Sequence, residues 1–296
     1  MTGRGGVRAW VLASRPKTLW AAVTPVMVGT ACAISVSGFA AGPALAALVV
    51  AISIQIGTNL SNDVLDFDRG ADTKRRLGPP RAVQSGLLSR SQVWAGAWVA
   101  FGISVACGLY LVTVAGWPVL VLGTVSIASG LLYTAGPWAL AYTGLGDLFV
   151  LLFFGLAAVC GTVYVQAVQV PAAAWWCGVA VGAMATAILV TNNLRDREED
   201  ALAGKRTLVV RFGPRFGRFE YAVLLLLAHL ATLPLVPALG LWPLLSWLAL
   251  PFAAVVLRSV WRGEGAALNA SLAATARLLL VFGVLLSAGI VLGAAN

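Results

Sequence analysis

Charge is what this chain has least of. Only 10% of its 296 residues are Asp, Glu, Lys or Arg, while 60% are hydrophobic and the mean hydropathy is +0.90. A soluble globule lacks the polar surface to cover that much apolar material, so a water-soluble domain is excluded. There is one histidine, His229, which falls inside an apolar run, and no cluster of histidines to build a metal centre. The four cysteines, Cys32, Cys107, Cys160 and Cys177, show no CxxC or Cys/His spacing. They read as small core residues rather than zinc ligands or a disulfide framework. Alternation of apolar and polar residues is also missing. The hydrophobic runs are continuous, which excludes a transmembrane β-barrel and leaves helices, whose backbone groups satisfy one another in lipid.

What is present is a series of apolar runs long enough to cross a bilayer, which takes about 20 residues. They predict an all-α polytopic membrane protein with spans near 19–37, 43–62, 93–114, 117–135, 145–167, 173–194, 220–238, 241–260 and 274–294, in one integral-membrane domain over 1–296. The cations sort onto one side of that map. Arg4, Arg8, Arg15 and Lys17 precede the first span, and Arg69, Lys74, Arg75, Arg76, Arg81 and Arg90 follow the second. Arg195, Arg197, Lys205, Arg206, Arg211, Arg215 and Arg218 follow the sixth, and Arg258, Arg262 and Arg277 flank the last connection. The positive-inside rule then predicts a cytoplasmic N-terminus and an outside C-terminus, for a multi-pass protein expected in the cell inner (cytoplasmic) membrane. The formal charge of +9 is explained by this orientation and by contact with anionic membrane lipids, with no need for nucleic acid.

The scarce acids are not scattered. TNLSNDVLDFDRGADTKRRLGPPRAVQSG, Thr58 to Gly86, places Asp63, Asp66, Asp68 and Asp72 where the second span meets a loop. Gln55, Asn59, Asn62, Asp63 and Asp66 recur at helical spacing and predict one polar face, which must look into protein or water rather than lipid. Asp63, Asp66 and Asp72 repel one another unless a cation sits among them, and hard oxygen ligands of this kind suit Mg²⁺ with substrate phosphates. Alone, the stretch also reads as a solvated loop.

A second stretch, TNNLRDREEDALAGKRTLVVRFG from Thr191 to Gly213, repeats the chemistry at the end of the sixth span. Asn192, Asp196 and Asp200 lie at i, i+4 and i+8 with Asn193 beside them, and Gly204 predicts the helix end. Both acidic ends fall on the same side of the predicted membrane. Two such ends facing each other make a site for two or more divalent ions around a diphosphate. Lys74, Arg75, Arg81, Lys205 and Arg206 stand ready to neutralise further phosphate oxygens, or serve only as loop charges. At the N-terminus, Arg15 or Lys17 either anchors at the interface beside Trp20 or meets an anionic substrate. YTAGPWALAYTGLGD, Tyr133 to Asp147, carries no Lys or Arg and predicts a tight connection at the cavity mouth. Its Tyr133 and Tyr142 are either interfacial or offer π faces to a cationic intermediate. His229 reads as a packed, hydrogen-bonded core residue.

These clusters resemble the UbiA superfamily of intramembrane aromatic prenyltransferases, whose marks are an NDxxD-type motif after the second helix and DxxxD after the sixth. Here they stand as Asn62, Asp63 and Asp66 with Asp72 following, and as Asp196 and Asp200. The likeness covers nearly the whole chain, including the nine-helix count. RPKTL, NLSND, GPPRAVQSG, LYTAGP and above all NNLRDREEDALAGKRTLVVRFG are similar to the branch that prenylates 1,4-dihydroxy-2-naphthoate in menaquinone biosynthesis. Trp138 departs from that pattern, since many relatives carry Lys or Arg there. The resemblance implies Mg²⁺ held by Asp63, Asp66, Asp196 and Asp200 with Asn59, Asn62 and Asn192, polyprenyl diphosphate as donor, and Asp72, Lys74, Arg81, Asn193, Lys205 and Lys17 as substrate contacts. Attack by the naphthoate ring and loss of carbon dioxide then give demethylmenaquinone. Other aromatic acceptors such as 4-hydroxybenzoate or homogentisate, a diphosphate hydrolase and a cation transporter are the competing readings.

Overall fold

The computed structural model describes residues 6–70, 77–136 and 139–296, and among them there is helix and connection but no strand. Asp72, Lys74, Arg75 and Trp138 lie outside the described residues. The chain opens with α1 (Val7–Ser14), a tight turn Pro16–Thr18, α2 (Trp20–Ser35), α3 (Ala41–Asp68), α4 (Arg90–Ala115) and α5 (Trp117–Leu132). A short α6 (Leu140–Thr143) precedes α7 (Gly146–Val150), which runs through a π-helical stretch, Leu151–Ala157, into α8 (Ala158–Ala167). Then come α9 (Ala172–Leu202), α10 (Leu208–Phe212), α11 (Pro214–Leu230), α12 (Val236–Leu239), α13 (Leu250–Arg262) and α14 (Leu268–Ala294).

Each of the nine apolar runs falls on helix, but they are not alike. Among the described residues, seven helices are long and apolar enough to cross a membrane, and the pair Val7–Thr18 and Trp20–Ser35, bent by 52°, makes an eighth if taken together. The ninth run is α5, which has 16 residues and spans about 24 Å at 1.5 Å per residue, short of the roughly 30 Å hydrocarbon core. Two helices overshoot their apolar runs for a reason that matters below. α3 continues to Asp68 and α9 to Leu202, carrying both acidic stretches as helix beyond the apolar segment. Gly204, at φ 74°, then turns the chain after α9 as its sequence predicts.

α9 is the centre of the bundle. In its most apolar window 72% of residues are buried inside the protein, against 22% for α3 and 28% for α4. Small residues make this possible. A Cβ on Gly155 would sit 2.3 Å from the Gly178 carbonyl oxygen and 2.6 Å from the Gly182 Cα, so the π-helical stretch and α9 touch backbone to backbone. Around α9 a large core gathers Val28, Met184, Tyr221, Leu278 and Phe282. A second cluster joins α1, α3 and α4 through Ala13, Leu60, Val93 and Phe101. The third, with Val26, Ala47, Leu111, Val119 and Val165, closes the floor of a cavity that the others leave open above it. Outside, Trp98, Trp117, Leu241, Leu248 and Val255 face outward, as a lipid-bathed surface requires. His229 is buried with Nδ1 2.7 Å from the Leu225 carbonyl, a packed core residue as expected. The four cysteines are free.

Candidate active site

The cavity has a volume of about 510 Å³, a normal size for a small-molecule site. Its lower walls are apolar, including Val26, Val112, Leu120, Phe149 and Phe153, and its upper end is polar. Gln55, Thr58, Asn59, Asn62 and Asp66 enter it from α3, and Asn192, Asn193, Asp196, Glu199 and Asp200 from α9. The two acidic helix ends therefore meet over one chamber, as their spacing predicts.

Asp63 is the exception on α3. Adjacent residues about 100° apart can both reach the chamber, as Thr58 and Asn59 do, but Asp63 does not line it. Asn62 lines the cavity, its Oδ1 accepting from Thr134 Oγ1 at 2.8 Å. Asp63 turns the other way, and its two oxygens accept from the backbone N–H groups of Ala82 and Val83 at 2.9 and 3.1 Å. It thus braces the loop that delivers Arg81. Arg81 in turn donates to Asp66 Oδ2 at 2.6 Å, with both side chains buried. Asp68 lies at the surface, paired with Arg90.

On α9 the network is built differently. Arg195, its side chain only 3% exposed, donates Nε and Nη2 to the two oxygens of Asp196 at 2.7 and 2.6 Å. Its Nη2 also reaches Asn192 Oδ1 at 2.7 Å, and Nη1 reaches Asn269 Oδ1 at 3.0 Å. Beyond the helix end, Lys205 Nζ lies 3.3 Å from Asp200 and 3.8 Å from Asp66, joining the two acidic ends. Burial alone lowers the Lys205 pKa, but Asp66, Asp200 and Tyr142 outweigh it and raise it above the ordinary lysine value. The site therefore keeps this ammonium charged.

Residues 133–136 and 139–144 border the polar end, which Tyr133, Thr134 and Ala141 line. Arg69 donates to the Gly136 carbonyl at 2.5 Å and Arg211 to the Thr143 carbonyl at 2.8 Å, so a loop without cations of its own is clamped by cations from its neighbours. Tyr133 lines the cavity. Burial first, then the negative charge of Asp147, Asp200 and Asp66, holds its phenol protonated. Tyr142 stands outside the lining, with Arg69 at 4.7 Å and Lys205 at 5.4 Å from its ring centroid. Its π surface serves two resident cations rather than the chamber. Of the two N-terminal candidates, Lys17 is exposed and away from the cavity. Arg15 lines it, on a backbone at φ 53° that costs a non-glycine residue about 1–2 kcal/mol. Sequence spacing does not carry such a bend.

Among the described residues, no three of His, Cys, Asp and Glu already converge as a metal cage. Asp63, Asp66, Asp196 and Asp200 are each engaged by an N–H or a cation. The donor set nevertheless fits Mg²⁺. Beside the cations Arg15, Arg81 and Lys205, the polar wall offers carboxylate and amide oxygens from both helices, and Asp66 Oδ1 is buried without a hydrogen-bond partner. Arg195, Asn269, Glu199 and Arg69 were not foreseen as site residues. Arg195 reads from sequence as a positive-inside charge, and only its place directly before Asp196 sets it apart.

The UbiA prenyltransferase family model matches residues 22–281. The chain is 38% identical over 260 residues to the 1,4-dihydroxy-2-naphthoate octaprenyltransferase of Mycobacterium tuberculosis, covering 86% of this chain and 87% of that one. Identity to the Escherichia coli protein of the same name is 37% over 295 residues, with 95% and 96% covered. The apo structure of a UbiA homolog from Aeropyrum pernix superposes with a TM-score of 0.72 at 17% identity, covering 90% of this chain and 96% of that one. A UbiA homolog from Archaeoglobus fulgidus, solved bound to GPP and Mg²⁺, gives 0.64 at 17% identity, with 94% and 99% covered. At such identities these two structures share the fold alone. Together with the motifs on α3 and α9, the match across most of the sequence makes this membrane protein a member of the UbiA prenyltransferase family.

Proposed function

We propose that this enzyme transfers a polyprenyl group from polyprenyl diphosphate to 1,4-dihydroxy-2-naphthoate with loss of the ring carboxylate, yielding demethylmenaquinone at the oxidation level of its hydroquinone. The observation that carries this reading is the meeting of two acidic helix ends, α3 and α9, over a cavity whose remaining walls are mostly apolar. Such a chamber suits a molecule with a diphosphate at one end and a long hydrocarbon at the other. Relatives named for this reaction support the choice of acceptor.

Asp66, Asp196 and Asp200, with Asn62 and Asn192, are the residues we assign to two or more Mg²⁺ ions. When bound there, Mg²⁺ supplies Lewis-acid stabilisation to the departing diphosphate. Lys205, Arg81 and Arg15 place positive charge around the same polar end, where developing phosphate charge is stabilised without rearrangement. The apolar walls exclude water from the allylic cation, which would otherwise be quenched as an alcohol. Tyr133, held neutral, turns its ring towards that region as a π donor. The new carbon–carbon bond forms at the ring position bearing the carboxylate, the allylic carbon–oxygen bond having broken, and carbon dioxide leaves with the electrons of its bond returned to the ring. Asp63 acts through the loop it braces. Lys74 and Asp72 stay candidate substrate contacts. We further assign the polar end to the cytoplasmic side, the chain to a single domain, and α5 to a ninth, short crossing.

The test supplies detergent-purified protein with Mg²⁺, a polyprenyl diphosphate and 1,4-dihydroxy-2-naphthoate, and follows product and carbon dioxide by mass spectrometry. Prenylated, decarboxylated product that disappears with chelator and in Asp66→Ala is expected. Diphosphate release without coupling in the wild type would sink the assigned acceptor.

A further inference from the structure

Carboxylates that hold a metal must be kept in one orientation. α9 projects past its apolar segment to reach the chamber, where Asn193, Arg195, Asp196 and Asp200 are buried. Arg195 lies behind that wall. It does not line the cavity, and its side chain is 3% exposed, an unusual place for a guanidinium at a membrane surface.

What it touches explains the burial. One guanidinium engages both oxygens of Asp196, the amide oxygen of Asn192 one turn earlier, and the amide oxygen of Asn269 near the start of α14. Asn269 passes the constraint on, donating Nδ2 to the Leu77 carbonyl at 2.8 Å. Both ends of that amide are thus used, which fixes its orientation. Leu77 belongs to the connection after α3, the one that carries Arg81 to Asp66. A single chain of hydrogen bonds therefore runs from the second acidic motif, through α14, to the loop of the first.

A planar fork is suited to this work. Each carboxylate oxygen has two lone-pair directions, and a guanidinium seated on one edge takes one from each while leaving the others to face the chamber. An ammonium carries the same charge but fixes no plane. Resting on the metal-site reading above, we propose that Arg195 is a positioning residue, which together with Asn269 sets the orientation of Asp196 and Asn192 for divalent-ion binding. It touches neither substrate nor metal. Partners of this kind behind a metal ligand are worth about 10–100-fold in metal affinity.

The experiment titrates Mn²⁺ into full-length purified protein without substrates, counting free ion by electron paramagnetic resonance, beside a thermal melt of each variant. Arg195→Lys, which keeps the charge and loses the fork, is expected to weaken Mn²⁺ binding by about 10–100-fold. Asn269→Ala, half-buried and outside the cavity lining, is expected to weaken it by a smaller factor with little change in the melt, and it carries the test if Arg195→Lys does not fold. Wild-type affinity in folded Arg195→Lys, or a melt shift in Asn269→Ala with no change in affinity, overturns the proposal and leaves the site reading intact. A wild-type protein that binds no Mn²⁺ overturns both.

Discussion

The two acidic helix ends carry the same residue types and are held by opposite means. On α3 the support comes from a loop: Asp63 grips the backbone of Ala82 and Val83, and Arg81 reaches back to Asp66. On α9 it comes through Arg195, one residue before the carboxylate it serves and itself tied to Asn269 of α14. A loop can move without unfolding a helix, whereas a side chain buried in the same turn cannot. The α3 end is thereby the adjustable half of the chamber and the α9 end the fixed half. Lys205, within reach of both, is where the halves meet.

Removing a carboxylate from either half should have the largest effect. Asp66→Ala, Asp196→Ala and Asp200→Ala are each expected to lower turnover by two to three orders of magnitude, roughly the scale of losing one preorganised electrostatic group. Equal losses across the three, measured at saturating Mg²⁺, would erase the distinction between the halves at the level of chemistry and confine it to mobility.

Arg81→Met comes next, because it strands a buried carboxylate. Loss of one partner of a buried pair costs about 3–5 kcal/mol, and a denaturant melt should register it along with lost activity. Asp63→Asn separates brace from ligand more cleanly. It weakens two charge-assisted hydrogen bonds to the loop, a cost of about 1–3 kcal/mol, and the expected sign of a brace is faster proteolysis between residues 77 and 90 with the Mn²⁺ affinity of α9 kept. A collapse of metal binding in that variant would instead make Asp63 a ligand.

Lys205 yields a prediction in pH. Its pKa is raised, so the stability it contributes is fully present below the ordinary lysine value of 10.5 and is lost as pH climbs through the raised folded value. The difference in melting temperature between wild type and Lys205→Met should stay flat across neutral pH and shrink only in strong alkali. A difference that fades near neutrality would mean that the junction between the halves is not ionic.

Smallest of all are the residues that the chamber does not use. Tyr142→Phe should be near neutral, because the phenol oxygen is buried without a hydrogen-bond partner while the ring keeps its two cations. Lys17→Ala should leave turnover unchanged within a factor of about two, as exposed surface positions do.

The spacing of Asn192, Asp196 and Asp200 made the α9 half legible in advance, because a helix converts i, i+4, i+8 into one face without help from elsewhere. Gly204 announced where that helix stops. The α3 half was only partly legible. Helical spacing groups Asp63 with Asn62 and Asp66, whereas its hydrogen bonds go to the backbone of residues 82–83, 19 residues away, which no local pattern announces. Nothing local distinguishes Arg15 from Lys17 either, since the choice depends on a left-handed kink. Asn269 lies 74 residues from its partner Arg195, in a stretch with no motif of its own. The apolar runs fall on helix, while the shortness of α5 and the 52° bend before α2 come from packing that hydropathy does not encode.

The glycine contact at the heart of the bundle has a last consequence. With Gly155 and Gly182 pressed backbone to backbone, α9 is screened from lipid by its neighbours and has no slack in which to tilt. Mismatch between protein and bilayer thickness must then be absorbed at the periphery, and α5, a short apolar helix of 16 residues in the wall of the hydrocarbon end, takes most of it. Lipid chain length thus becomes a dial on the tail-binding end alone: a thicker bilayer should shift preference among isoprenoid lengths while leaving the affinity for the diphosphate head where it was.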